Sequence, residues 1–227
     1  MPHINRVRVN NVRYNFGTQF YDDFIMRFDC KNVLYDLANG GGKSVLLLLL
    51  LQNLIPNCTL DDKQPVEKLF RGSNGSTVIH SLIEWKLDDY LVKDDYRYML
   101  TGFCARKAKE DESQNAAKDA AAIEYFNYVI FYRHYNDNDI VNLPLSDGKE
   151  RITWPGLKNY IRNLSRKDYQ LQVHLFERKG NTSTLSVSMG FMRVNGRLSA
   201  ASIRQKVMYV HTLRAIIEQH EKWWRIC

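Results

Sequence analysis

The run Asn39-Gly40-Gly41-Gly42-Lys43-Ser44 has the residue types and the order needed to hold a phosphate group. Glycines let the backbone adopt positive φ and lie close to an anion, and the N–H groups at the start of a following helix attract negative charge. A lysine after the glycines can reach the outer phosphates, and a serine hydroxyl can bind Mg²⁺. The pattern G-x-x-x-x-G-K-[ST] is met except at its first position, where Leu37 replaces glycine.

The residues on either side of this motif predict a strand, a loop and a helix in that order. Val33-Leu34-Tyr35 is a short apolar run, so we expect a strand over about 32–37. Residues 45–51 are all apolar, so a helix from Ser44 to about Ile55 should be buried on all sides. Pro56 would end this helix. The sequence therefore supplies the context that a phosphate-binding loop requires.

The other hydrophobic patterns predict mostly strands. Apolar and polar residues alternate over 4–10, and an apolar run follows at 24–28, which indicates an N-terminal strand pair. Further strands are expected at 79–87, 96–106, 126–132, 171–178 and 184–192. Residues 154–164 should form a helix with Pro155 in its first turn. These patterns predict an α/β fold of the mixed α+β kind, with mixed and antiparallel strands around the helix that follows the glycine loop.

Two regions are expected along the chain. Residues 1–198 should form one domain, and residues 199–227 should form a long C-terminal helix with two apolar stripes. Ser199 or Ser202 could cap this helix. No internal repeat and no clear linker is visible.

The composition indicates a folded protein of the cell interior. Of 227 residues, 44% are hydrophobic, which is enough for a full core, and the net charge of +7 favours polyanionic partners only mildly. Cys30, Cys58, Cys104 and Cys227 are far apart and lack metal-binding spacing, so we expect reduced thiols. The N-terminal residues lack the apolar core of a signal peptide. The apolar run after the loop is much shorter than the roughly 20 residues that span a bilayer, so we expect a cytoplasmic protein without membrane contact.

Several of these features together resemble one family of ATPases. The opening strand followed by Asn11-Val12-Arg13, the loop Asn39–Ser44 and the predicted hairpin of residues 79–106 are similar to the N-terminal half of SMC-type heads, which are ABC-type P-loop ATPases. The predicted helix at 199–227 looks like the root of the coiled-coil arm that leaves such a half-head. The loop is the specific part of this resemblance, and the rest is a similarity of layout.

The resemblance implies the ATP-binding Walker A half of an ATPase for DNA maintenance, repair or defence, with ATP and Mg²⁺ as cofactors. A C-terminal half of the same ATPase, or a second head in an ATP-dependent dimer, would supply the signature motif and the Walker B acids. Hydrolysis would then need that partner, and the chain alone would be a partial ATPase with no complete catalytic set. Ser44 would hold Mg²⁺, and Arg13 would reach the γ-phosphate side. The residues expected around the nucleotide are Asn39, Gly40, Gly41, Gly42, Lys43, Ser44, Val45 and Arg13.

A Walker B strand should end in Asp, usually followed by Glu. The best strand candidate, Val129-Ile130-Phe131-Tyr132, is instead followed by Arg133-His134. This agrees with a chain that carries half of a head.

Two alternatives come from other functional classes. A small self-contained P-loop kinase would alternate strands and helices, whereas residues 77–132 show strand patterns in succession. A non-enzymatic nucleic-acid-binding module would use the glycine loop to grip a backbone phosphate. Basic residues that could contact DNA, or that could simply face solvent, occur at Arg106, Lys107, Lys109, Lys158, Arg162, Arg166, Lys167, Arg193, Arg197, Arg204 and Lys206.

Overall fold

The structure is a computed structural model that describes residues 2–15, 17–54, 66–70, 77–88, 95–107, 123–147 and 150–177. All of these belong to one compact unit, Pro2–Gly180. The strand predicted at 184–192, the helix predicted at 199–227 and the domain boundary between 198 and 199 lie outside the described residues.

Strands dominate the described residues, with two α-helices and one short 3-10 helix, Val66–Phe70. In chain order the elements are β1 (His3–Tyr14), β2 (Gln19–Arg27), α1 (Lys43–Leu54), β3 (Val78–Lys86), β4 (Tyr98–Lys107), β5 (Ile123–Tyr132), β6 (Ser146–Asp147), β7 (Glu150–Arg151), α2 (Trp154–Lys167) and β8 (Gln172–Glu177). Six of the strands form a sheet in the order β2-β1-β3-β4-β5-β8, and each pairing in it is antiparallel. The expected mixed α+β class is therefore confirmed.

The predicted strands agree with the sheet except at one place. The strands predicted at 4–10, 24–28, 79–87, 96–106, 126–132 and 171–178 all have counterparts in the sheet. The strand predicted at 32–37 is wrong, because these residues are irregular and Leu34 is 94% exposed. A strand exists only where a neighbour completes its hydrogen bonds, and none of the described strands pairs with this run.

Helix α1 packs on one face of the sheet, against β3 and β4. Its contact with the sheet includes polar groups: Asn53 Nδ2 donates to Ser81 Oγ at 2.9 Å, and Asn127 Nδ2 donates to the Gln52 carbonyl at 3.1 Å. The prediction that the helix is buried on all sides holds only for the side that faces the sheet. A stripe with helical spacing is only half-buried, namely Leu47, Leu50, Leu51 and Leu54.

The other face of the sheet is covered by α2 and by the loop of residues 138–145. Thr153 caps α2 by accepting the Gly156 N–H at 3.1 Å, and Pro155 lies in its first turn as expected. The side chains that α2 buries in this core are Trp154, Leu157, Ile161 and Leu164. Their spacing of three or four residues explains why a helix is stable here.

Two arginines of β1 are buried beneath this second layer, although charge in an alternating strand usually indicates a solvent-facing side. Arg6 makes two hydrogen bonds to the Glu84 carboxylate, at 2.7 and 2.6 Å, and a third to Asp139 at 3.0 Å. Burial opposes the charge on Arg6, but the two carboxylates outweigh it and raise its pKa. Arg8 Nη1 donates to the carbonyl oxygens of Ile140, Val141 and Leu143. These bonds fasten the 138–145 loop to β1.

His80 of β3 is a buried imidazole that must stay neutral in the folded chain. It is 1% exposed, and burial, together with the positive charges of Arg8 and Arg151, lowers its pKa to about 3, while Asp23 acts in the opposite direction. The unfolded chain takes up a proton at this side chain as the pH falls through 6.5. Stability from the neutral ring is therefore complete above pH 6.5 and is lost progressively toward pH 3.

We expect His80→Gln to flatten the acid side of the stability profile. Between pH 6.5 and pH 5 the parent should lose about 2 kcal/mol of unfolding free energy through this group, and the variant should not. Urea unfolding at several pH values measures this loss, and His3→Gln, which changes an exposed histidine, is the control. An identical slope in parent and His80→Gln would contradict the assignment.

Candidate functional site

The glycine loop has two glycines at positive φ and leads directly into α1, but irregular residues precede it in place of the predicted strand. Gly40 and Gly42 have φ of 80° and 79°, a region that side chains other than glycine rarely adopt. The Gly41 N–H closes a turn on the Ala38 carbonyl at 2.9 Å. Helix α1 begins directly after the loop at Lys43, so the N–H groups of its first turn, which lack intrahelical partners, lie beside the glycines.

Lys43 bends back across the loop. Its ammonium Nζ donates to the Leu37 carbonyl at 2.5 Å and lies 3.4 Å from the Ala38 carbonyl. The lysine thus joins the end of the motif to its first two residues. The Lys43 and Ser44 side chains are exposed, as are Asn39 and Gly40, while Gly41, Gly42 and Val45 are half-buried. Both the ammonium and the serine hydroxyl are within reach of solvent.

Two tyrosines from the β1–β2 hairpin form a floor under the loop. The Tyr14 and Tyr21 rings stack with centroids 4.9 Å apart, and Tyr21 also stacks on Phe24 at 5.3 Å. The Tyr21 hydroxyl donates a hydrogen bond to the Gly41 carbonyl. Burial, and then a hydrogen bond with Tyr14, raise the pKa of Tyr21 to about 12, so this hydroxyl keeps its proton at neutral pH.

The two tyrosines reach the loop because the regular alternation of side chains between the two sheet faces is interrupted in this hairpin. Tyr21 stacks on Phe24, three residues away, whereas a regular strand places such residues on opposite faces. The partner strand has Asn11 at this level, with a positive φ of 59°. Asn11 tolerates this conformation better than most residues, and its side chain donates to the Val78 carbonyl at 2.6 Å. The irregularity brings Tyr14 to the loop.

The fit between loop and floor is close at Gly42. A methyl group added there would lie 3.0 Å from two ring atoms of Tyr14 and 3.1 Å from the Tyr21 ring. The loop therefore requires glycine at position 42 for two reasons, its positive φ and the lack of space. The sequence motif indicated the first reason only.

The structure brings together the predicted residues from Asn39 to Val45, but not Arg13. The Arg13 guanidinium lies over the Phe20 ring, 4.7 Å from its centroid. Because the neighbouring Tyr14 reaches the loop, and adjacent side chains of a strand point to opposite faces, Arg13 faces away from the glycines. The γ-phosphate role expected for Arg13 thus has no support from its position. Tyr14 and Tyr21 were missed: both belong to the β1–β2 hairpin, but Tyr14 is opposite Gln19 and Tyr21 is opposite Val12, so the sequence pattern did not indicate that their rings stack.

Apolar residues before and after the loop in sequence are incompletely buried. Val33 and Leu34, just before the motif, are 42% and 94% exposed. The half-buried leucine stripe of α1, residues 47, 50, 51 and 54, begins one turn after it.

Other kinds of site find little support in the part of the chain that the structure describes. It contains no group of three or more His, Cys, Asp or Glu side chains placed to hold a metal ion, and no described helix is long and apolar enough to cross a membrane. Cys30 and Cys104 are free thiols, as expected for these two. Comparisons with protein-family models, with curated proteins and with solved structures gave no match.

We expect Gly42→Ala to destabilise the folded chain more than Gly17→Ala does. Both glycines have positive φ, 79° and 84°, but an added methyl at Gly17 has no atom within 4 Å. Gly17→Ala should cost about 1–2 kcal/mol from the backbone alone, and Gly42→Ala about 1 kcal/mol more, because it also presses on the tyrosine rings. Urea unfolding measures both. Equal costs would mean that the tyrosine floor does not restrain the loop.

Proposed function

We propose that this chain is the ATP-binding N-terminal half of an SMC-like ATPase head that acts in DNA maintenance, repair or defence. The observation that carries the proposal is the geometry of the glycine loop: two glycines at positive φ, Lys43 folded across the loop, and α1 starting at its end. In this arrangement the N–H groups at the start of α1 that lack intrahelical partners lie beside the glycines and an exposed lysine, the combination that polyphosphate binding uses.

The residues present fit ATP and Mg²⁺. The N–H groups of Gly40 and of Gly42 to Val45 would surround the phosphates, while the Gly41 N–H is bonded to the Ala38 carbonyl. Lys43 would neutralise charge on the outer phosphates once its ammonium leaves the Leu37 carbonyl. The exposed Ser44 hydroxyl is an oxygen ligand of the kind that Mg²⁺ prefers. Bound Mg²⁺ would neutralise phosphate charge and support phosphoryl transfer to water.

A second half of the head is proposed because apolar side chains before and after the loop are incompletely buried, and because the two buried carboxylates among the described residues are engaged away from the loop. Leu34 and the leucine stripe of α1 would be covered by that half, whether it is the C-terminal part of the same ATPase or a second head. The buried carboxylates Glu84 and Asp139 are already bonded to Arg6. Glu84 also lies three residues from Ser81, which contacts α1, and therefore on the opposite face of the sheet.

The structure argues against one of the two alternatives and gives some support to the other. A small kinase is disfavoured, because doubly wound α/β enzymes use parallel strands joined by helices, and each pairing in this sheet is antiparallel.

Nucleic-acid binding is favoured by one observation. Helix α2 ends in the exposed Arg166 and Lys167, and Tyr169 just beyond it is 89% exposed. DNA is therefore proposed as a partner of this surface.

We expect Mg-ATP to stabilise the chain through Lys43. At about 100 times Kd, ligand should add about 2.7 kcal/mol to the unfolding free energy, which thermal denaturation detects as several degrees. Lys43→Ala should abolish the shift, while Lys31→Ala, which changes an exposed lysine before the loop, should keep it. No shift in the parent, with salt-sensitive DNA binding retained, would favour the nucleic-acid-binding module instead.

We expect the chain alone to bind ATP but to hydrolyse it very slowly, because the acids and the signature motif belong to the missing half. The rate of phosphate release should stay far below about 1 s⁻¹, which is the lower end of typical kcat values. A continuous phosphate assay on parent and Lys43→Ala tests this. If the parent hydrolyses ATP near that rate and Lys43→Ala does not, the result would contradict the half-head proposal and favour a complete enzyme.

A further inference from the structure

The Tyr21 hydroxyl acts on the part of the loop that matters most for a phosphate. It donates to the Gly41 carbonyl, and this carbonyl belongs to the same rigid peptide unit as the Gly42 N–H. A trans peptide is planar, so its C=O and N–H point in opposite directions. Holding the carbonyl toward the tyrosine floor turns the Gly42 N–H away from it, toward the open side of the loop.

We propose that Tyr21 is a positioning residue for phosphate binding, whose hydroxyl fixes the peptide unit between Gly41 and Gly42 with the N–H of Gly42 directed at the ligand. This inference rests on the proposed function and adds to it a residue outside the P-loop motif. The glycines flanking this unit would otherwise let it rotate, because glycine populates both signs of φ.

Tyr21 is itself held in place, which makes it suitable for this task. Its ring is stacked between Tyr14 and Phe24, and the phase change at Asn11 presents this face of the hairpin to the loop. Gly42 lies against the same two tyrosine rings. The loop therefore rests on the aromatic floor by van der Waals contact and is fixed in direction by one hydrogen bond.

The chain offers a matched control for removing this hydroxyl. The Tyr35 hydroxyl donates to the Arg27 carbonyl at 2.9 Å, which is also a tyrosine-to-backbone bond, but not to the glycine loop. Tyr21→Phe and Tyr35→Phe each delete one tyrosine-to-backbone bond and keep the ring, and Tyr21→Phe also removes the hydrogen bond with Tyr14. The ligands are Mg-ATP and Mg-pyrophosphate, titrated calorimetrically into the parent and both variants, with ligand-free urea unfolding measured in parallel.

We expect Tyr21→Phe to bind both ligands about three- to ten-fold more weakly than the parent, the range that one hydrogen bond supplies. Tyr35→Phe should bind them as the parent does. An equal loss of affinity for pyrophosphate is the decisive result, because pyrophosphate has no base and its binding therefore depends on the phosphate-binding groups alone. Ligand-free urea unfolding should show both variants fully folded at the titration temperature, which separates positioning from general loss of structure.

The other outcomes overturn distinct claims. If the parent binds both ligands and Tyr21→Phe binds them equally well, the positioning role fails and the proposed function stands. If Tyr21→Phe weakens ATP but not pyrophosphate, the tyrosine acts on the nucleoside, and the role proposed here is wrong. If the parent binds neither ligand, the proposed function fails and the inference falls with it.

Discussion

The hydrogen bond from the Asn11 side chain to the Val78 carbonyl secures the feature on which the site depends. It stabilises a backbone of positive φ inside β1, and the side chains of the hairpin change face at that level. A regular strand would turn Tyr14 and Tyr21 toward the opposite layer. The glycine loop would then lose its floor, and the Gly41 carbonyl would lose its partner.

The two faces of the sheet are built for different tasks. On one face, buried charges from β1 fasten the 138–145 loop, and α2 closes a continuous apolar core. On the other face, α1 turns amides toward the sheet and leaves leucines half-exposed. The glycine loop is thus supported from below by a rigid layer, while its outer side and its border stay accessible. This asymmetry suits a site that ligand and partner approach from outside.

Much of the fold could be predicted from the sequence, and the failures have physical causes. Hydrophobic alternation found the strands because their neighbours lie within the chain, whereas the run Val33–Tyr35 looked equally strand-like but pairs with no described strand. The burial of Arg6 could not be predicted, because its partners Glu84 and Asp139 are distant in sequence. The motif singled out the loop residues Asn39 to Val45, and their role with a nucleotide stays a prediction. The tyrosine floor was not, because it depends on the backbone conformation of one asparagine.

Hydrogen exchange of the loop amides, with and without Mg-ATP, tests the central claim most directly. The account predicts that added ligand slows exchange at the N–H groups of Gly40 and of residues 42–45, because these become donors to phosphate, whereas the Gly41 N–H already donates to the Ala38 carbonyl. The slowing should be concentrated there and in the first turn of α1. Unchanged exchange over residues 40–45 at saturating ligand, with protection confined to α2 or other surfaces, would contradict a nucleotide site at this loop.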